Sequence, residues 1–153
     1  MKAKHTLHNI LTKFASPFHP SQQDLSLTGY THITINGETT IQVDFNEEKE
    51  SVTIIAPIAT NNPDFYADLL VLNAFRDQLA GARFILLRET NQIGLLTHFD
   101  LTNLTVQKLE QLFEEFFDVT QKWAKAFENK DTNQTEDSDT IPSQIYNDIF
   151  NRA

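Results

Sequence analysis

Residues 64–89 read DFYADLLVLNAFRDQLAGARFILLRE, a helical pattern, a glycine stop and a strand pattern in one run. The helix expected over 64–79 carries Phe65, Tyr66, Leu69, Leu70, Val71, Leu72, Phe75 and Leu79, apolar on more sides than one sheet covers. Pro63 and Asp64 suit its first turn and Gly81 its end. The strand expected over 83–89 offers Phe84 and Leu86 on one face, Ile85 and Leu87 on the other. A strand buried on one side alternates instead, as residues 40–45 do with Ile41, Val43 and Phe45 against Gln42 and Asp44. The apolar surplus of 64–89 predicts a further layer, supplied by another chain. A central helix, or a strand between two helix layers, would cover part of it internally. Either way the run points to interaction before catalysis.

Working outward, Leu7, Ile10, Leu11 and Phe14 are spaced for one helix face, with Thr6 as the expected cap and Pro17 as the stop. Gly29 opens a strand with Ile33 and Ile35, Asn36-Gly37 reads as a tight turn, and residues 39–46 return. A polar turn over 46–50 leads to a third strand, 51–58, with Val52, Ile54 and Ala56 on one face. Beyond the central run, residues 93–99 complete a second hairpin. A last helix starts near Thr102 or Thr105 and runs to about Glu128, with Leu109, Leu112, Phe116, Val119, Trp123 and Phe127 at steps of three and four. The order α-β-β-β-α-β-β-α predicts an α+β fold: a five-stranded antiparallel twisted sheet with three helices. Residues 1–128 form the domain. Residues 129–153 form an acidic linker and a short amphipathic segment, in which Ile141, Ile145 and Ile149 share a helical face beside Tyr146 and Phe150.

The chain has 153 residues and a formal net charge of −9. That charge argues against nucleic acid, whose phosphates need a basic face, and against anionic membranes. No apolar run is long enough for a membrane helix, and the N-terminus lacks the apolar core of a signal peptide, so the cytoplasm is the expected location. Without cysteine there is neither a disulfide framework nor thiolate chemistry.

Catalytic patterns are missing too. His5 and His8 lie three apart on a helix face, but a metal site needs further ligands. Asp131, Asn133, Thr135 and Asp137 imitate the start of a calcium loop, yet Glu136 and Pro142 stand where glycine and a bidentate glutamate belong. No serine lies in a nucleophile-elbow motif, and the four glycines are too scattered for a phosphate loop. Glu47, Glu48, Glu50, Glu114 and Glu115 read as solvated charge. No enzyme activity, cofactor or metal is expected.

The element order and the patterns Leu7-x-x-Ile10-Leu11-x-x-Phe14, Ile41-Gln-Val43-Asp-Phe45 and Val52-Thr-Ile54 resemble the class I type III secretion chaperones, the CesT/Tir chaperone family. The middle helix, 64–79, and the closing one, 109–127, are similar too, so the resemblance covers about 1–128. It implies a cytoplasmic bacterial homodimer that binds the N-terminal segment of a secreted effector in extended form. It also implies delivery to a secretion ATPase and no chemistry of its own. Effector contacts are then expected from Leu7, Ile10, Leu11, Phe14, Ile33, Ile35, Ile41, Val43 and Phe45. Dimer contacts are expected from Leu69, Leu72, Phe75, Ile85 and Leu87. The alternative is a dimeric regulatory module without unfolded clients. Residues 130–153 depart from the family pattern, as a shield for an empty groove or a site for a second partner.

Overall fold

The structure, a computed structural model, describes residues 2–14, 29–35 and 39–131. Three helices and five strands follow the expected order: α1 (Lys2–Phe14), β1 (Tyr30–Ile35), β2 (Thr39–Asn46), β3 (Ser51–Thr60), α2 (Tyr66–Leu72), β4 (Arg83–Leu87), β5 (Gln92–Asp100) and α3 (Val106–Asp131). The strands form one antiparallel sheet in the order β1-β2-β3-β5-β4. The chain divides into two compact units, residues 1–57 with 96–114 and residues 58–95 with 115–153.

The first unit is built on alternation. The register pairs Ile33 with Ile41, Val43 with Ile54 and Phe45 with Val52, which puts these apolar side chains on one face of the sheet. All of them are buried, as are Leu7, Ile10 and Leu11 of α1. Helix α1 starts at Lys2, so Thr6 lies inside it and is not its cap. Gly29 sits at φ +72°, accepts at its carbonyl from the Phe45 amide at 2.7 Å, and leaves only 3.2 Å between a would-be Cβ and the Phe45 carbonyl oxygen. A side chain there would be strained on both counts. The Asn36-Gly37 turn lies outside the described residues. The polar turn after β2 forms as expected, with the Lys49 amide on Asn46 Oδ1 at 3.0 Å. Thr105 caps α3, its Oγ1 accepting from the Lys108 amide at 3.2 Å.

The second unit departs from expectation in its helix. The single helix expected over 64–79 is three pieces: a 3-10 turn (Pro63–Phe65), α2 and a second 3-10 turn (Arg76–Leu79). Asn62 Oδ1 accepts from the Asp64 amide at 3.1 Å and starts the first turn. The break follows from Asn73. Its side-chain amide donates to the Phe84 carbonyl at 3.0 Å and accepts from the Phe84 amide at 2.6 Å. One side chain thus satisfies both backbone groups of a β4 residue, as a neighbouring strand would. Ala80 at φ +51° and Gly81 at φ +74° turn the chain into β4. Against this frame α3 lays Trp123, edge-on to Phe84 at 5.0 Å between ring centroids, and Phe127, which meets Phe65 at 5.5 Å. The buried stripe of α3 runs Leu109, Phe113, Phe116, Thr120, Trp123 and Phe127. Phe113 and Thr120 therefore take the central places expected of Leu112 and Val119, which are half-buried. Thr120 tolerates burial because its hydroxyl donates to the Phe116 carbonyl at 2.8 Å.

Candidate functional site

The residues expected to touch an effector are gathered together, but inward. Leu7, Ile10 and Leu11 of α1, Ile33 and Ile35 of β1, and Ile41, Val43 and Phe45 of β2 are all buried in the first unit. Phe14 ends α1, and its side chain lies outside the described residues. As placed, these eight side chains are core. Their burial follows from amphipathic spacing: a helix face at steps of three and four over a sheet face at steps of two leaves no second apolar side to expose.

The opposite face of this unit is mostly polar and internally bonded, with Ile55 half-buried across from Gln42. Tyr30 Oη lies 2.8 Å from His32 Nε2, and the two rings meet edge-on at 4.8 Å. Across the register His32 faces Gln42 and Tyr30 faces Asp44, and Gln42 Nε2 donates to Asp44 Oδ2 at 2.9 Å. Partial desolvation, then the Asp44 carboxylate, push the Tyr30 phenol above its ordinary range. Thr34 and Thr40 hydroxyls are 3.0 Å apart, and Thr53 Oγ1 meets His98 Nδ1 at 3.0 Å. Among the described residues β1 pairs only with β2, so this face ends at a six-residue edge strand. An edge strand is a template for an added one.

The residues expected at a self-association face are split. Leu69 and Leu72 are buried in the second unit, while Ile85 and Leu87 are half-buried and Phe75 is 39% exposed. The outward positions are ones the periodicity did not single out: Leu70 at 72% exposed, Val71 at 44% and Leu86 at 39%. Spacing puts Leu69 and Leu72 on one side of the helix and Leu70 and Val71 on the other, but both sides are apolar, so no signal said which side faces out. Of the five large apolar side chains exposed among the described residues, four lie between 70 and 86.

Among the described residues no three His, Cys, Asp or Glu side chains are grouped as metal ligands, and no helix is long and apolar enough to cross a membrane. The segment imitating a calcium loop lies outside the described residues beyond Asp131.

Among curated proteins none matches the chain. Solved structures match its fold at low identity. The ExsC–ExsE complex superposes with a TM-score of 0.64 at 14% identity, covering 81% of this chain and 95% of the other. The HopA1–SchA chaperone–effector complex gives 0.61 at 14% identity, with 80% and 93% covered. SycH, a type III secretion chaperone of Yersinia pestis bound to a stable fragment of YscM2, gives 0.55 at 15% identity, with 79% and 98% covered. A family model matches residues 9–124, from α1 through most of α3, and by that match the chain belongs to the Tir chaperone protein (CesT) family.

Proposed function

We propose that this protein is a cytoplasmic, non-enzymatic chaperone of a type III secretion system. It holds the N-terminal region of a secreted effector in an extended, soluble form and presents it, with a secretion ATPase as the receiving partner. Membership of the Tir chaperone family is the observation that carries this reading. Residues 1–128 act as the chaperone domain and 129–153 as an appended linker and segment.

The geometry supports a specific division of labour. With the inner apolar face of the first unit buried, the client docks along the β1 edge and the adjoining polar face. Backbone hydrogen bonds to an edge strand are indifferent to client sequence, which suits an unfolded segment. Ordering such a segment costs on the order of 2–5 kcal/mol, so the contact must be long. The net charge of −9 favours a basic client and speeds encounter. A second copy of the chain covers Leu70, Val71, Phe75 and Leu86, with Ile85 and Leu87 at its margin, which makes the working form a homodimer.

One observation favours a second reading, a dimeric regulatory module without unfolded clients. Eight of the nine apolar residues expected to grip an effector, all but Phe14, are core. Native mass spectrometry of the protein purified with its bound partner separates the two. Two copies to one secreted protein, lost when that partner's N-terminal region is removed, is the outcome expected of the chaperone. A dimer with no secreted protein, under conditions that express the secretion system, moves the assignment to the regulatory module.

A further inference from the structure

The sheet ends in two edge strands, β1 and β4, whose outer sides differ. On β1 the direction of each backbone group follows from the register. The Phe45 amide donates to the carbonyl of Gly29, one step before Tyr30↔Asp44, so the hydrogen-bonded pairs continue at Thr31–Val43, Ile33–Ile41 and Ile35–Thr39. The alternate residues Tyr30, His32 and Thr34 turn both N–H and C=O away from β2. Three residues with two groups each are a template for an added strand.

On β4 the same count gives one. Strand β5 lies on one side of β4, and on the other Asn73 holds both backbone groups of Phe84, at 3.0 Å and 2.6 Å. Backbone groups alternate in direction along a strand, so Leu86 turns the way Phe84 does, while Ile85 turns toward β5. Ahead of Phe84 the Ala82 amide already donates to the Leu79 carbonyl at 2.9 Å. Beyond Leu87 the strand has ended, and the Arg88 carbonyl accepts from the Asn91 amide at 3.3 Å in the turn. Within β4 that leaves Leu86. The plug suits its task, because an asparagine amide presents a donor and an acceptor in one plane, as a peptide does. Asn73 is half-buried, its own amide donates to the Leu69 carbonyl at 3.0 Å, and the buried Leu69 and Leu72 anchor the helix that carries it.

We propose that Asn73 closes the β4 edge to added strands, and so leaves β1, of the sheet's two edges, as the one that accepts a strand. That the strand accepted there is a client's rests on the function proposed above. The closure at β4 does not. Replacing Asn73 by alanine opens Phe84 beside Leu86. Two copies can then join antiparallel, Phe84 of each against Leu86 of the other, with twice the backbone hydrogen bonds that Leu86 alone allows. That gain tightens self-association by on the order of tenfold.

Amide hydrogen exchange of the wild-type chain, at concentrations where it is monomeric, tests the closure directly. The Phe84 amide is expected to be protected like its neighbour Ile85, and the Leu86 amide to exchange much faster. Equal rates at Phe84 and Leu86 overturn the closure, whether both are fast or both are slow. Sedimentation of the full chain carrying Asn73→Ala then tests the consequence. Self-association about tenfold tighter than wild type, reversed by adding Leu86→Pro, supports it. Proline removes the outward N–H and is tolerated on an edge strand. An unchanged dissociation constant overturns it. Asn73→Asp separates an open edge from a weakened fold. It keeps an acceptor for the Phe84 amide and sets a charge on the edge, so it is expected to lose stability without associating. Association as tight as that of the alanine variant overturns the proposal. Where the alanine variant does not fold, the exchange rates of the wild-type chain still decide. A β1 edge that takes no client removes the function proposed above and leaves each of these outcomes in force.

Discussion

The two units use the same kind of residue in opposite ways. In the unit of 1–57 and 96–114, β1 and β2 place their large apolar side chains inward and hydrogen-bonded polar ones outward, and of β3 Val52, Ile54 and Ala56 are buried while Ile55 is half-buried on the polar side. In the other unit α2 and β4 are apolar on both sides, and Leu70, Val71, Phe75 and Leu86 remain accessible to solvent. A monomer tolerates scattered exposed leucines, but a cluster on consecutive elements marks an interaction surface. The first unit is therefore complete in itself on its apolar side, and its open groups are backbone edge and polar face. The second is incomplete on its apolar side.

The contrast breaks most sharply at Leu11 and Leu70. Leu11→Asp should lower stability by more than about 4 kcal/mol, because an unpaired carboxylate would enter the core. Urea denaturation measures this, and a folded variant with weakened client binding alone would make α1 a groove wall rather than core. Asn73→Ala comes next, at about 2 kcal/mol, since both backbone groups of Phe84 lose their partner. Faster amide exchange at Phe84 and Ile85 is its accompanying mark. Gly29→Ala should cost about 1–2 kcal/mol through the positive φ and the close Phe45 carbonyl, visible as a lowered melting temperature. Leu70→Asp should leave the stability of the dilute protein within about 0.5 kcal/mol, as an exposed position does, yet abolish sedimentation as a dimer. A large loss of stability there would mean the face is core after all.

The smallest effect concerns Asp100. Its Oδ1 accepts from the Thr102 hydroxyl at 2.5 Å and the Thr102 amide at 2.9 Å. Those bonds, the hydroxyl first, with a minor contribution from nearby His98, hold the carboxyl below its ordinary range. A depressed carboxylate contributes stability above its unfolded pKa and loses it as pH falls through the folded value. The change is therefore confined to the acid side, below about pH 4. Thr102→Val should raise the Asp100 titration midpoint in a carboxyl-detected NMR titration, and the small loss of stability that goes with it should be present at neutral pH and vanish in acid. An unmoved midpoint would leave the hydroxyl without a role.

Much of this was legible in the residues. The alternation of Ile41, Val43 and Phe45 and the spacing of Leu109, Phe116, Trp123 and Phe127 led directly to the sheet face and to α3. Periodicity is local, and a strand or helix repeat can be read without knowing its neighbour. The break at Asn73 was not legible, because its cause is a β4 backbone eleven residues away. Nor were Leu70 and Val71 separable from Leu69 and Leu72. In a helix apolar on every side, periodicity carries no phase.

From the sequence alone follow the element order, the α+β class, the apolar excess of residues 64–89 and the acidic tail, since each depends on composition and short-range spacing. Which apolar side chains are core and which are surface was decided only by the tertiary structure. Leu7, Ile10 and Leu11 are buried because the sheet face opposite them is equally apolar. Leu70 is exposed because α2 can turn only one of its sides toward its own unit, and the side holding Leu69 and Leu72 is the one that packs.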